Sequence, residues 1–364
     1  MSRKKQDKDY LKLEKERWNG FLYALLSSPP ESGVTPRKAI WKKNKATLWY
    51  YPAKQKKYNI PLILIYSMVN QSFILDLGPG SSTIEAFVNE GFDVYLIDFG
   101  IPGYEDKDFT LTDYINGYIQ KGVQRALRHS MAKEVTIIGY CLGGTLAAMY
   151  TAIAEEPVKN LILSVTPIDF STFPIFDKWL MAAQNGHLDF DRLLETIGLV
   201  PAPFIEAGVR ILTSPLYYSH YLSLLNRSYD KEYVDHWRRF NHWTKSHIPF
   251  PSASLKQFKN DLLKGNKLIH GGIQINGKNV DLHNIYANML VISSKYDRLV
   301  PEGLVYPVMD LVSSEDKTYI SLEGGHTGIS LKDGVPVYLR NWLHDRSEPI
   351  LTAYEKNKIR GDAI

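Results

Sequence analysis

The 364-residue chain carries a single cysteine, Cys141, so no internal disulfide can form within it. Its opening residues, Met1-Ser-Arg-Lys-Lys-Gln-Asp-Lys-Asp9, lack the apolar stretch of a secretory signal, and together these two absences point to the cytoplasm. No apolar run approaches the roughly 18 residues of a membrane span. The stretch 60–69 reaches only about half that length, so any lipid contact is expected to be peripheral. Internal repeats and low-complexity tracts are missing too. Histidines such as His242, His247 and His270 show no metal-ligand spacing with a neighbouring carboxylate, so no metal is expected. Gly78-Pro-Gly80 lacks both a third glycine and a following Lys-Ser/Thr, which leaves it a turn and not a phosphate loop.

What remains is a core-forming composition, with 44% hydrophobic and 23% charged residues, which excludes disorder over most of the chain. The net charge is +4. Cations crowd the front, at Arg3, Lys4, Lys5, Lys8, Lys12, Lys15 and Arg17 and again at Arg37, Lys38, Lys42, Lys43 and Lys45. Acidic residues interleave with the first group, which reads as a solvated helix face and argues against nucleic acid as a partner. A modest positive field also suits an anionic small substrate.

Near-helical spacing of Tyr10, Leu11, Leu13, Trp18, Phe21, Leu22 and Leu25 predicts a helix over 9–27, stopped by Pro29-Pro30. It could equally pack on the core or offer a face to another chain. From residue 46 strands and helices alternate: strands over 47–51, 62–66, 93–97, 135–138 and 161–165, and helices over 82–90, 111–129 and 145–154, with Thr112 as a candidate N-cap. This succession predicts a mostly parallel sheet covered by helices on both faces. The rhythm breaks after Thr166-Pro-Ile-Asp-Phe170 and resumes with strands over 289–293 and 318–322 and a helix over 335–343. The intervening stretch holds Trp179, Phe190, Phe204, Tyr217, Tyr218, Tyr221, Tyr229, Trp237, Phe240, Trp243 and Phe250, and a structureless loop of that length would be anomalous. A largely helical cap is expected, its aromatics forming mainly its own core. The expected organisation is a helical segment and basic linker over 1–45, a core over 46–169 and 287–346, a cap over 170–286, and a tail over 347–364.

Cys141 stands in Val135-Thr-Ile-Ile-Gly-Tyr-Cys-Leu-Gly-Gly-Thr145, a Gly-x-Cys-x-Gly-Gly turn between a β-branched strand and an Ala-rich helix. That is the nucleophile elbow of an α/β-hydrolase fold with a thiol in place of the usual serine. Gly139 and Gly143 are needed because side chains there would crowd the strained nucleophile. Such a thiol needs a base, and the base an orienting acid, following in the order acid then histidine on loops after late strands. Asp297 fits the acid, in Ser294-Lys-Tyr-Asp-Arg-Leu-Val-Pro301, and His326 fits the base, in Glu323-Gly-Gly-His-Thr-Gly328. Asp297 alone could be an ordinary acid before a Pro-started helix, and His326 alone a solvated loop residue. Their order, placement and joint presence with the elbow decide for the triad. His242, His247 and His270 fall inside the expected cap, where structural roles are expected. Backbone N–H groups of Leu142 and of Val69 or Asn70 are the candidate oxyanion donors.

Gly33-Val-Thr-Pro-Arg-Lys-Ala-Ile-Trp-Lys-Lys-Asn-Lys45, Phe73-Ile-Leu-Asp-Leu77, Gly91-Phe-Asp-Val-Tyr-Leu-Ile-Asp98, the elbow itself, and Lys267-Leu-Ile-His-Gly-Gly with Val280-Asp-Leu form a wider pattern. It resembles polyhydroxyalkanoate synthase catalytic subunits of the short, two-subunit kind (class III/IV), nearest the bacillus type, from about residue 33 to 346. The resemblance implies that Cys141 accepts the acyl group, that His326 is its base and that Asp297 is the third member, either orienting the imidazole or activating the incoming 3-hydroxyl. It further implies a 3-hydroxyacyl-coenzyme A substrate, expected to be 3-hydroxybutyryl, no bound cofactor beyond the coenzyme A that the substrate carries and releases, a small accessory subunit (PhaR- or PhaE-like), a polymer granule surface, and a homodimer as a further option. The sequence departs from the family at Arg298, where histidine is frequent, at Phe99, where tryptophan is frequent, and at Thr327 in the His326 segment. A thiol suits this chemistry, because exchanging one thioester for another conserves the energy that later drives ester formation. Making polymer instead of acid requires water to be kept from the acyl-enzyme, a task the cap could serve as a lid. The rival activity for the same three residues is a thioesterase or esterase, and a non-catalytic scaffold is disfavoured by their joint presence.

Overall fold

The computed structural model describes residues 3–172, 189–327 and 334–350. Trp179 and the rest of 173–188 in the expected cap, Gly328, and 351–364 of the expected tail lie outside the described residues, as do the side chains of Tyr217 and Tyr218.

Helix α1 spans Arg3–Leu26, and two strands follow, β1 Lys38–Lys43 and β2 Ala46–Tyr51. β3 is Leu62–Ile65, α2 Thr83–Glu90, β4 Val94–Asp98. A π-helical turn, Asp113–Gln120, runs into α3, Lys121–Ser130; then come β5 Val135–Tyr140, α4 Leu142–Thr151 and β6 Val158–Ser164. Four helices come next, α5 Phe190–Ile197, α6 Ala202–Arg227, α7 Lys231–Trp243 and α8 Ser252–Gln257. The sheet is completed by β7 Asn288–Ser294 and β8 Lys317–Leu322, and α9 is Val337–His344.

Among the described residues these eight strands form one sheet in the order β1-β2-β4-β3-β5-β6-β7-β8. β1 and β2 are antiparallel to their neighbours, and the other strands pair in parallel. The sheet therefore starts at Lys38, inside the stretch expected to be a linker. Every residue of β5 is buried, as a central parallel strand covered on both faces requires. Alternation sends Val135 and Ile137 into one core with Val123, Ala147 and Leu161, and Ile138 and Tyr140 into the other with Phe87, Ile162 and Trp342.

Helix starts follow local chemistry. Ser82 accepts from the Glu85 amide to open α2, Asp189 accepts from the amides of Asp191 and Arg192 to open α5, and Asp230 accepts from Tyr233 to open α7. The cap expected at Thr112 falls elsewhere: Thr112 is already helical, at φ −59°, and Thr110 does the work. Its amide and hydroxyl donate to Asp113 Oδ2 at 2.8 and 2.7 Å, while the Asp113 amide donates back to Thr110 Oγ1 at 3.3 Å. This reciprocal box outcompetes a threonine two residues later that has no carboxylate at the matching spacing.

α5 to α8 lie between β6 and β7, where the insertion was expected. Trp237 is buried at their centre, its indole donating to the His220 carbonyl at 3.1 Å and stacking on that imidazole with 4.6 Å between centroids. Phe250 and Trp243 are buried as well, whereas Phe204 and Tyr229 are exposed. One side of α1 docks here: a Cβ on Gly20 would lie 1.7 Å from the Ser228 carbonyl oxygen, the Ser228 hydroxyl donates to the Arg17 carbonyl at 2.6 Å, and Ala24 packs with Leu224 and Trp237. Its other side leaves Leu11, Trp18, Leu22 and Leu26 exposed. No described helix is long and apolar enough to cross a membrane.

Because Ile137 is fully buried in the strand that carries the elbow, Ile137→Ala should cost about 2–5 kcal/mol, read as a lowered urea midpoint with an unchanged slope.

Candidate active site

Cys141 joins the end of β5 to the start of α4 with φ +51° and ψ −130°, a conformation that L-residues adopt only under constraint. The constraint is local and dense. The Cys141 amide donates to the Ser164 carbonyl at 3.0 Å, and the Cys141 carbonyl accepts from Gly144 and Thr145 at 2.9 and 3.3 Å. Close contacts enforce the glycines: a Cβ on Gly139 would lie 2.4 Å from the Gly144 Cα, and one on Gly143 would lie 2.5 Å from the carbonyl oxygens of Ile65 and Tyr66. Gly144 is equally constrained, since its Cβ would meet the Thr166 hydroxyl at 1.9 Å. That third contact arises from packing across the sheet, although the Gly-Gly doublet is plain in the sequence.

Asp297 sits on the turn after β7 with its side chain fully buried. Oδ1 accepts from the amides of Leu299 and Val300, both at 2.9 Å, which leaves Oδ2 free to meet His326 Nδ1 at 2.7 Å. Three hydrogen bonds clamp the histidine segment to this turn: Lys295 amide to Leu322 carbonyl at 2.9 Å, Tyr296 amide to Gly324 carbonyl at 2.9 Å, and Ser294 hydroxyl to Gly325 carbonyl at 3.1 Å. Gly324 has φ +148°, which suits glycine.

The imidazole faces Cys141 on its other side. Burial works against a charged imidazole, but the negative charge of Cys141, hydrogen bonds to Asp297 and Cys141, and the charge of Asp297 together outweigh it, and the His326 pKa is pushed up to about 10. The structure thus brings Cys141, His326 and Asp297 into one array. The other histidines lie elsewhere: His242 is exposed and stacks on Phe73 at 5.5 Å, His247 is half-buried and bridges to Asn70, and His270 is exposed. Of the departures from the family pattern, Arg298 is exposed and Phe99 is buried edge-on against Tyr114, 5.1 Å between centroids.

Leu142 opens α4, so its amide has no acceptor in the helix's own ladder. The loop after β3 presses on the elbow through the Gly143 contact just described. Within that loop the Val69 amide reaches Ser67 Oγ only at 3.4 Å, and the Val69 carbonyl accepts from Ile248 at 3.3 Å. Asn70 is buried, its side chain donating to the Trp243 carbonyl at 3.0 Å, and the Trp243 indole donates to the Gln71 carbonyl at 2.9 Å. The α7 end is thereby tied to the loop that carries the candidate oxyanion donors. Sequence reasoning missed Tyr66, whose ring lies 6.4 Å from that of Tyr140 beside the elbow. Its phenol is held well above its usual pKa by burial and then by the charge of Cys141. Among the described residues no group of His, Cys, Asp and Glu could hold a metal ion.

Gly139→Ala should disrupt the elbow, because the new methyl meets backbone and not a side chain that can swing away. The expected result is about 1–3 kcal/mol of destabilisation, checked by denaturant titration.

The alpha/beta hydrolase fold family matches residues 77–333, a span that holds all three residues of the array. Among solved structures of similar shape are the Paleococcus ferrophilus monoacylglycerol lipase (14% identity, TM-score 0.48, covering 77% of this chain and 90% of that one) and MenH from S. aureus (16%, TM-score 0.43, covering 79% and 92%). Curated relatives include poly(3-hydroxyalkanoate) polymerase subunits from Haloferax mediterranei, 32% identical over 87% of this chain, and from Allochromatium vinosum, 30% identical over 87%. The chain spans 65% of the first relative's length and 90% of the second's. With an alpha/beta hydrolase fold and likeness along most of its length to these polymerases, the chain belongs to the poly(3-hydroxyalkanoate) polymerase family of enzymes.

Proposed function

We propose that the protein polymerises 3-hydroxyacyl groups delivered as coenzyme A thioesters, with 3-hydroxybutyryl as the expected unit, through an acyl-enzyme on Cys141. The observation that carries this reading is the array of Asp297, His326 and Cys141, with a 2.7 Å bond from Asp297 fixing the imidazole whose other side faces the sulfur. The Cys141 thiolate attacks the thioester carbon, the carbon–sulfur bond to coenzyme A breaks, and the departing thiolate takes the His326 proton. In the second half the terminal hydroxyl of an acceptor attacks the acyl carbon and gives its proton to His326, while the Cys141 sulfur leaves with its bonding pair. Asp297 holds the imidazole with Nδ1 protonated and Nε2 toward the sulfur. Amides of Leu142 and of Val69 or Asn70 receive the developing oxyanion.

Coenzyme A enters and leaves with the substrate, so no resident cofactor is invoked. The relatives are named as subunits, which favours a small accessory chain of the PhaR or PhaE kind as partner, and an insoluble product implies work at a granule surface in the cytoplasm. The two-subunit, bacillus-like subtype belongs to the same proposal.

Purified protein given 3-hydroxybutyryl-coenzyme A should release free thiol and build insoluble polyester together. Thiol release with free 3-hydroxybutyrate as the only other product would instead establish a thioesterase. Cys141→Ala should abolish substrate labelling and keep the fold, and Cys141→Ser should lose roughly 10²-fold or more in rate, because an alcohol is far less acidic than a thiol.

The raised His326 value also sets a pH window. A group whose folded pKa exceeds its unfolded value of about 6.5 contributes stability that is complete below that pH and is lost as pH climbs through about 10. Asp297→Asn removes one of the charges that raise it. The variant should therefore move the imidazole titration to lower pH, seen by NMR of the His326 ring, and lower kcat/KM by roughly 10²–10⁴-fold.

A further inference from the structure

Beside the elbow, on the β3 and β4 side, lies a cavity of about 500 Å³. Its floor comes from Tyr66 and the loop that follows, one wall from residues 98–101 at the end of β4, and its roof from residues 29–33 together with His242 and Ile248. Tyr66 is the inner boundary, since its backbone abuts Gly143 and its ring stands beside Tyr140, the residue before the nucleophile. From this placement we propose that the cavity is the acceptor subsite: it holds the neutral polyester end whose terminal hydroxyl attacks the Cys141 thioester.

Charge, volume and unfilled hydrogen-bonding capacity all favour this occupant over the coenzyme A portion of the donor. Glu31, Asp76 and Asp98 line the cavity against a single guanidinium, Arg37, which is itself engaged with the Tyr51 hydroxyl at 3.1 Å and the face of Trp49 at 4.0 Å. A wall with that balance repels a polyphosphate and tolerates an uncharged ester. A four-carbon hydroxyacyl unit has six heavy atoms, so if each takes about the ~30 Å³ of a water molecule the cavity admits roughly two to three units. That is more room than one acyl group needs. Ser32 lines the same space with its hydroxyl buried and without a hydrogen-bond partner among the described residues, a ready donor to an ester carbonyl. Phe73, Ile101 and Ile248 supply apolar surface for the methyl and methylene groups.

This inference rests on the acyltransfer reading above, and the test keeps the two apart. Ser32→Trp and Ile101→Trp fill the cavity from its roof and from a half-exposed wall position, so at least the second should fold normally. Each full-length variant is given 3-hydroxybutyryl-coenzyme A, with and without a linear 3-hydroxybutyrate trimer as primer. The expected result is that Cys141 is still acylated to the wild-type stoichiometry, while the product chain shortens several-fold and the trimer is no longer incorporated into product. Unchanged chain length and undiminished priming in both variants would overturn the proposal. So would loss of acylation itself in proportion to loss of polymer, which would make the cavity the donor site. Failure of the wild-type protein to acylate Cys141 would instead remove the acyltransfer reading.

Discussion

The backbone of Cys141 is held in a conformation costing on the order of 1–3 kcal/mol, and the packing around it exists to keep it there. Three glycines remove the atoms that would collide, and the amide and carbonyl of the strained residue are both paired. Relaxing any of these would let the residue fall back into an ordinary turn and carry its sulfur away from His326. The strain therefore converts the rigidity of a fully buried central strand into the position of one sulfur atom.

The same logic governs the partners. Asp297 divides its two oxygens between a tight turn and the imidazole, so the acid is oriented by the backbone it caps. The His326 segment is laced to that turn by bonds from Lys295, Tyr296 and Ser294. Two adjacent parallel strands, β7 and β8, end in register and place acid and base on neighbouring loops. Order along the chain thus becomes proximity in space, and this explains why both residues were legible from sequence: each follows a recognisable apolar strand within a few residues.

Other features were less legible, for physical reasons. β1, Lys38-Ala-Ile-Trp-Lys-Lys43, lies at a sheet edge, and the lysines that protect such an edge from unwanted pairing also give it the look of a linker. Thr110 and Thr112 both suit an N-cap by composition, and only the carboxylate three residues beyond Thr110 separates them. The π-helical turn at Asp113–Gln120 has no periodic signature distinct from the α-helix that continues it. Tyr66 offers no motif at all, since its nearness to the thiol depends on β3 lying next to β5. The cavity is still further from local pattern, being assembled from six separated stretches of chain.

The cap is joined to the loop beside the candidate site through polar bonds and not by apolar contact alone. Asn70 and Gln71 exchange hydrogen bonds with Trp243, and Val69 accepts from Ile248, so the loop bearing the candidate oxyanion donors is held from above by the insertion. The residues that hold it also border the roof of the cavity, at His242 and Ile248. A chain filling that cavity would press on the segment that fixes the loop of Val69 and Asn70, and the start of that loop abuts the elbow at Gly143. If the cavity holds an acceptor as proposed, its occupancy and the alignment of an acyl group on Cys141 would be mechanically linked, a physical means of favouring a hydroxyl over water.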